Sequence, residues 1–334
     1  MVTVEERNET FFDEEIGEGC PECGSSLVCP ACNPESLAAV DKDLKAMARV
    51  ADPQVARFLV DGFYTAQKNR IRAGNQAKQA METLVSENED GTATMEPSAL
   101  LLWNQKNFRY IENQIFKVLS EFSEGQELGR WARSICGIGP TLTAGLLAHI
   151  DLEKARTPAG IWRFAGLDPT VEWNKSEKRP WNAQLKTLCH KIGLSFEKVQ
   201  NNPNDFYGHM LAKRKQYEIA NNESGKYAET AKEILATGSY KRETIAKTAY
   251  EAGKLPDGQI RMRALRWAEK LFLSHYWHVG YEIRSNDNPD LRQSPPKPWV
   301  IAIGGHQEFI APPNWENGRL AESTYTEEYW KNRK

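Results

Sequence analysis

One stretch restricts this chain more than any other: Trp131-Ala-Arg-Ser-Ile-Cys-Gly-Ile-Gly-Pro-Thr-Leu-Thr-Ala-Gly-Leu-Leu-Ala-His-Ile150. Gly137 and Gly139 flank Ile138, and the pair predicts a tight turn that a Cβ would resist. Pro140 suits the first turn of a new helix, where its missing N–H is no loss. Leu142, Leu146, Leu147 and Ile150 follow at helical spacing. The expectation is helix, two-glycine hairpin, helix. Such a hairpin ends in a bare helix N-terminus, where several amides lack partners. Amides and helix dipole together attract a phosphate. A helix-hairpin-helix of this kind holds nucleic-acid backbone without reading sequence. Its contact residues are expected to be Gly137, Ile138, Gly139, Thr141 and Thr143. The plainer alternative is a joint between two helices with a glycine C-cap.

The chain has 334 residues, enough for two or three domains. Its 40% apolar and 26% charged content suits a globular protein without membrane spans, and the acidic N-terminus does not resemble a signal peptide, so a cytoplasmic location is expected. The net charge of −2 conceals an asymmetry. Residues 1–43 carry about −9 and residues 173–270 about +8 by direct count, an imbalance that points to a polyanionic partner.

Cysteine usage adds a second local constraint. Cys20, Cys23, Cys29 and Cys32 form two C-x-x-C pairs, each with Pro after its first Cys. Four thiolates at this spacing suit a tetrahedral Zn²⁺ and leave no open coordination position, so a structural zinc knuckle is expected. A redox pair would need only one C-x-x-C. Cys136 and Cys189 read as small buried apolar residues.

The rest of the sequence is helical in pattern. Domain boundaries are expected at 1–18 (acidic tail), 19–34 (zinc knuckle), 35–125 (long helical hairpin or coiled-coil arm), 126–170 (helix-hairpin-helix), 171–285 (basic helical domain) and 286–334 (extension with one short strand, Trp299 to Ile303, and a polar tail). A first helix is expected from Pro34, and the segment from Asp205 onward reads as a series of further helices ending near Ile283. The fold class is mostly α. The two long helices before the hairpin suggest self-association into a homodimer or higher homo-oligomer. His275 and His278, three apart on one helix, read as satisfied polar groups more readily than as metal ligands. Trp173 and Trp181 flank a charged loop and suit either base stacking or core anchoring.

Gly137-Ile-Gly-Pro-Thr-Leu-Thr-Ala144, an apolar helix, and then Trp162-Arg-Phe-Ala-Gly-Leu-Asp-Pro169 together resemble the C-terminal domain of the IS-one-ten family of insertion-sequence transposases. Ser176 and Asn182 fall where that family places a nucleophilic serine and the start of a basic helix. The resemblance implies a mobile-element or phage origin, RNA-guided DNA recombination, dimerisation through the helical arm, and catalysis shared between Ser176 and an acidic, metal-binding RuvC-like domain. The chain departs from the family in two places. The zinc segment stands where the RuvC-like domain would be, and Glu177-Lys-Arg-Pro-Trp181 replaces the glycine-rich stretch. Without an activating neighbour a serine hydroxyl is a weak nucleophile.

The leading expectation is therefore a DNA- or RNA-binding protein that keeps the nucleic-acid-handling portion of such an enzyme. Lys178, Arg179, Lys186, Arg261, Arg263 and Arg266 would extend a positive track from the hairpin. One alternative is a recombinase using Ser176; another is a transposase-derived adaptor or inhibitor that binds a protein partner.

Overall fold

A computed structural model describes residues 39–87, 96–174, 176–238, 242–288 and 309–322. The zinc-knuckle cysteines and the strand expected at Trp299 to Ile303 lie outside the described residues. Among those described, the chain is mostly helical, with eleven helices and one two-residue β-hairpin. No helix among them is long and apolar enough to cross a membrane.

The helices are α1 (Lys42–Arg49), α2 (Pro53–Glu87), α3 (Glu96–Gly125), α4 (Glu127–Ser134), α5 (Pro140–His149), α6 (Pro158–Phe164), α7 (Ala183–Val199), α8 (Phe206–Glu223), α9 (Ala228–Thr237), α10 (Ile245–Glu251) and α11 (Asp257–Asp287). Strands β1 (Trp315–Glu316) and β2 (Arg319–Leu320) pair antiparallel. Helix α1 begins at Lys42, where the Asp41 carboxylate caps the Leu44 amide at 2.8 Å; the helix start expected at Pro34 lies outside the described residues.

Helices α2 and α3 run antiparallel along each other. Gly62 faces Ile115, Arg70 pairs with the nearly buried Glu112, and Gly74 faces Gln105. Val60, Phe63, Leu119 and Phe122 fill the seam near α5, while Met47, Val50, Phe58, Leu100 and Trp103 stay exposed.

The main core gathers around α11. Ile260, Ala264, Ala268, Phe272, Tyr276 and Val279 recur at helical spacing, and all are buried. Trp131 stacks on Phe272 with ring centroids 6.0 Å apart, and Phe196 stacks on Tyr207 at 4.7 Å. Tyr207 meets Phe272 edge-on at 5.2 Å. These contacts draw α4, α7, α8 and α11 into one body.

The sequence suggests a mobile polar tail after the expected strand, but residues 309–322 dock on this core. Trp131 Nε1 donates to the Pro313 carbonyl at 2.9 Å, and Asn314 Nδ2 donates to the Ser134 carbonyl at 2.9 Å. Trp315 is buried and donates to Glu282 at 2.6 Å. His275 bridges the Tyr207 hydroxyl and the Ile310 carbonyl, each at 2.8 Å. Burial pushes its imidazole down to about 3, so it is neutral and serves as a structural link.

Phe272→Ala is expected to lose about 3–5 kcal/mol of stability in chemical denaturation. Phe58→Ala, at a side chain 68% exposed, is expected to change it by less than about 0.5 kcal/mol.

Candidate nucleic-acid interface

The glycine hairpin forms as a turn between α4 and α5. Gly137 has φ +85°, a left-handed conformation that disfavours any side chain. A Cβ there would also press to 3.1 Å on Ser195 and Val199 of α7, and the Ser195 hydroxyl donates to the Gly137 carbonyl at 2.6 Å. Gly139 behaves differently. It is the N-cap of α5 at φ −90°, and a Cβ added to it would meet nothing within 4 Å. The expectation that both glycines serve the turn is corrected: Gly137 makes the turn, and Gly139 leaves open space in front of the helix end.

Ile138 is buried, and its amide closes the turn onto the Ile135 carbonyl at 3.0 Å. Thr143 is fully buried, and both its amide and its hydroxyl return to the Gly139 carbonyl at 3.1 Å. Thr143 and the Ile138 side chain are therefore corrected from contact residues to parts of the joint. Thr141 is buried to 8% exposure. Among the described residues, the amides of Gly139, Thr141 and Leu142 have no protein acceptor.

The cations occupy another place. Helix α7 stands between the two regions: Ser195 and Val199 touch the hairpin, whereas Lys186, Gly193 and Glu197 face α11. Lys186 and Ser195 are nine residues apart, about two and a half turns at 3.6 residues per turn, and so point to opposite sides of α7. The hairpin and the basic residues do not form one continuous track.

On the α11 side lies a cleft of about 330 Å³. The loop after α6 contributes Asp168, Val171 and Trp181, the first turns of α7 contribute Lys186, and α8 contributes Arg214 and Glu218. Arg263, Arg266, Trp267 and Lys270 come from α11. Their spacing of three, four and seven from Arg263 puts these four on one stripe of that helix. Five cations thus face two carboxylates.

Glu218 organises this cluster. It is 1% exposed, and it accepts from Arg214 at 2.6 Å, from Arg263 at 2.9 Å and from the Tyr227 hydroxyl at 2.5 Å. Burial pushes its carboxyl up, but these three hydrogen bonds outweigh burial and hold it below its ordinary value. Lys186 lies 4.3 Å over the Trp181 ring, and its pKa is lowered by burial and then by Arg266 and Arg179. Lys270 lies over Trp162 and is lowered by burial and then by Arg214.

The wall holding Trp181 depends on the Trp162 to Pro169 box. Helix α6 ends as a Schellman turn, with Gly166 N donating to Arg163 O and Leu167 N to Trp162 O. Gly166 has φ +66°, and a Cβ there would lie 2.7 Å from the Trp181 ring. Asn182 caps α7 through the Leu185 amide, and its own amide reaches the Phe164 carbonyl. The glycine thus lets the box close on the start of the basic helix.

Of the remaining sequence-derived residues, Arg261 lies outside the cleft lining and is bound bidentately by Glu197 at 2.7 and 2.5 Å. Arg263 lies in the cleft with one edge committed to Glu218. Arg179 is exposed and stacks 5.1 Å from the Trp173 ring centroid; Lys178 is exposed on the same loop. Ser176 is exposed on a turn, and among the described residues its hydroxyl has no hydrogen-bond partner. Among the same residues no group of three or more His, Cys, Asp or Glu side chains could hold a metal. Sequence reasoning missed Arg214, Glu218, Trp267 and Lys270 as cleft residues. The usable signals were the Arg214–Glu218 spacing of four and the α11 stripe.

Comparisons with protein families, with curated proteins and with solved structures give no match.

Behind the cleft sits a carboxylate of a different kind. Glu269 is 2% exposed, its Oε1 has no hydrogen-bond partner, and Gly193 makes room for it. His190 Nδ1 is 3.9 Å away. Burial pushes the Glu269 carboxyl up to about 7, with Arg266 and Lys186 opposing. A carboxyl raised in the folded state binds its proton more tightly there than in the unfolded chain. Stability from this group is therefore full below about pH 4.5 and falls as pH rises to about 7, by up to about 3 kcal/mol. Glu269→Gln is expected to flatten that part of the stability–pH profile and to melt above the unsubstituted chain at pH 8. An unchanged profile would show that Glu269 does not titrate in this window.

Proposed function

We propose that this chain binds nucleic acid through the sugar–phosphate backbone, most strongly at the cleft between α7, α8 and α11. The observation that carries this reading is the convergence of Lys186, Arg214, Arg263, Arg266 and Lys270 on one small cleft against Asp168 and Glu218. Cations that depress each other's protonation are relieved when an anion enters. The amides of Gly139, Thr141 and Leu142 at the start of α5, which no protein acceptor takes up among the described residues, form a second contact on the other side of α7. A charged cleft and an amide cluster read charge, not base identity, so binding is weakly sequence-specific and falls steeply with salt. The resemblance in the glycine hairpin and the Trp162 to Pro169 box supports DNA as the polyanion. A strand-transferring serine at position 176 is not favoured, since Glu177-Lys-Arg-Pro-Trp181 departs from the glycine-rich stretch of the family it resembles.

The test is titration of single- and double-stranded DNA and RNA at two salt concentrations. Arg266→Gln is expected to weaken binding and to reduce the slope of log affinity against log salt by about 1. Gly139→Val is expected to keep the fold and weaken binding severalfold by covering the α5 amides, whereas Gly137→Val disturbs the fold itself. Unchanged affinity in Gly139→Val removes the hairpin from the interface, and unchanged affinity in both Arg266→Gln and Gly139→Val removes the reading.

The same reading includes a structural Zn²⁺ held by Cys20, Cys23, Cys29 and Cys32, a donor set that suits a closed tetrahedral site. Elemental analysis of the purified chain is expected to find about one zinc per chain, lost in a Cys20→Ser, Cys23→Ser variant. Equal zinc content in the two proteins would refute the assignment.

A further inference from the structure

The cleft's dimensions and charge say more than that it attracts a backbone. Four separate segments line it, and its volume of about 330 Å³ lies at the small end of ligand cavities, roughly 300–1,000 Å³. A duplex cannot enter such a space. A strand running through would bring phosphodiesters, each with a single negative charge. Five cations against two carboxylates are matched better by one group carrying nearly two charges.

The donors are also fixed in advance. Arg214 commits Nε and Nη2 to Glu218, and Arg263 commits Nε, so each guanidinium is held by a buried carboxylate while keeping other N–H groups free of it. Two planar guanidinium groups locked in this way suit pairs of oxygens on a tetrahedral phosphate. Lys186 and Arg266 sit on the same cleft with no carboxylate within salt-bridge distance among the described residues. Leu167, Val171, Trp181 and Trp267 supply apolar wall beside the cations, on which a sugar or base edge can rest.

We propose that the cleft is a phosphomonoester pocket that captures the terminal phosphate of a nucleotide at the end of an unpaired strand. This rests on the nucleic-acid reading above and names which part of the polyanion the cleft takes. Arg214 and Arg263 hold the phosphate oxygens, and Lys186 and Arg266 close on it from the α7 and α11 sides. The hairpin across α7 plays no part in this selection.

The experiment uses the full chain and four fluorescent single strands of one sequence: 5′-phosphorylated, 3′-phosphorylated, phosphorylated at both ends, and hydroxyl at both ends. A nucleoside monophosphate and inorganic phosphate serve as competitors. At least one phosphorylated strand is expected to bind about tenfold more tightly than its hydroxyl twin, a preference of the size that a charge-assisted bidentate contact supplies. That preference should disappear in Arg266→Gln and Lys186→Gln, whose melting temperatures should stay close to that of the unsubstituted chain. Gly139→Val should keep the preference while binding all strands more weakly. If phosphorylated and hydroxyl strands bind equally, the pocket assignment is overturned and backbone binding stands. If no strand binds but the nucleoside monophosphate does, and Arg266→Gln abolishes it, the phosphomonoester pocket stands and the nucleic-acid reading falls. If nothing binds, both fall.

Discussion

The packing of α11 against α4, α7 and α8 is the constraint from which the rest follows. Its inner face carries Phe272 into an aromatic group with Trp131, Phe196 and Tyr207, all but fully buried. Burial of side chains this large is worth roughly 1.5–3 kcal/mol each before entropy is counted. That core fixes the rotation of α11 about its axis. Once the rotation is fixed, the stripe Arg263, Arg266, Trp267 and Lys270 has no choice but to face α8 and the start of α7. The cleft is therefore a by-product of core packing in its geometry, and its charge is decided by which residues occupy the outer stripe.

Much of the helical architecture was legible in the sequence because it rests on local signals. Asp205, where the sequence starts a helix, caps α8, and Asn182, where the resemblance places the start of a basic helix, caps α7. The alternation of apolar residues along α11 marked a long helix, although its ends reach further than the pattern suggests, to Asp257 and Asp287. The glycine hairpin was legible as a turn but not in its division of labour. Two glycines around one isoleucine look equivalent in sequence, yet only Gly137 has the left-handed backbone. Gly139 differs because it begins the next helix in extended geometry, and nothing in the spacing of residues says so.

The grouping of the cations was not legible, for a different reason. A count of Lys and Arg between positions 173 and 270 shows a basic region but not which charges are already matched. Arg261 and Arg263 are two residues apart and look alike, but two residues on a helix turn the side chain by more than half a revolution. One meets Glu197, and the other meets Glu218 and the cleft. The position of the hairpin relative to the basic residues was hidden likewise. It depends on which sides of α7 receive α5 and α11, a tertiary fact. Residues 309–322 were misjudged because their docking relies on single anchors, the Trp315 indole and backbone carbonyls that meet Trp131 and His275. No periodic pattern announces such anchors.

Glu218 shows how a structural need and a binding capacity can share the same atoms. A carboxylate this deeply buried must be paired, since a buried charge left without its partner costs about 3–5 kcal/mol. Arg214, Arg263 and Tyr227 meet that need. In doing so they lose the side-chain freedom that would otherwise be given up on binding, which for a long cationic side chain is about 0.5–1.5 kcal/mol. The carboxylate neutralises only one of the two arginines it holds. The surplus charge, together with Lys186, Arg266 and Lys270, exceeds what Asp168 offsets, and the remainder has to be met from solvent ions or from a ligand. Below about pH 7 Glu269 holds its own proton and adds little to the match. An arrangement that served stability alone would match each cation locally, as Glu197 matches Arg261. The excess on the cleft side of α11 is the feature that packing does not require.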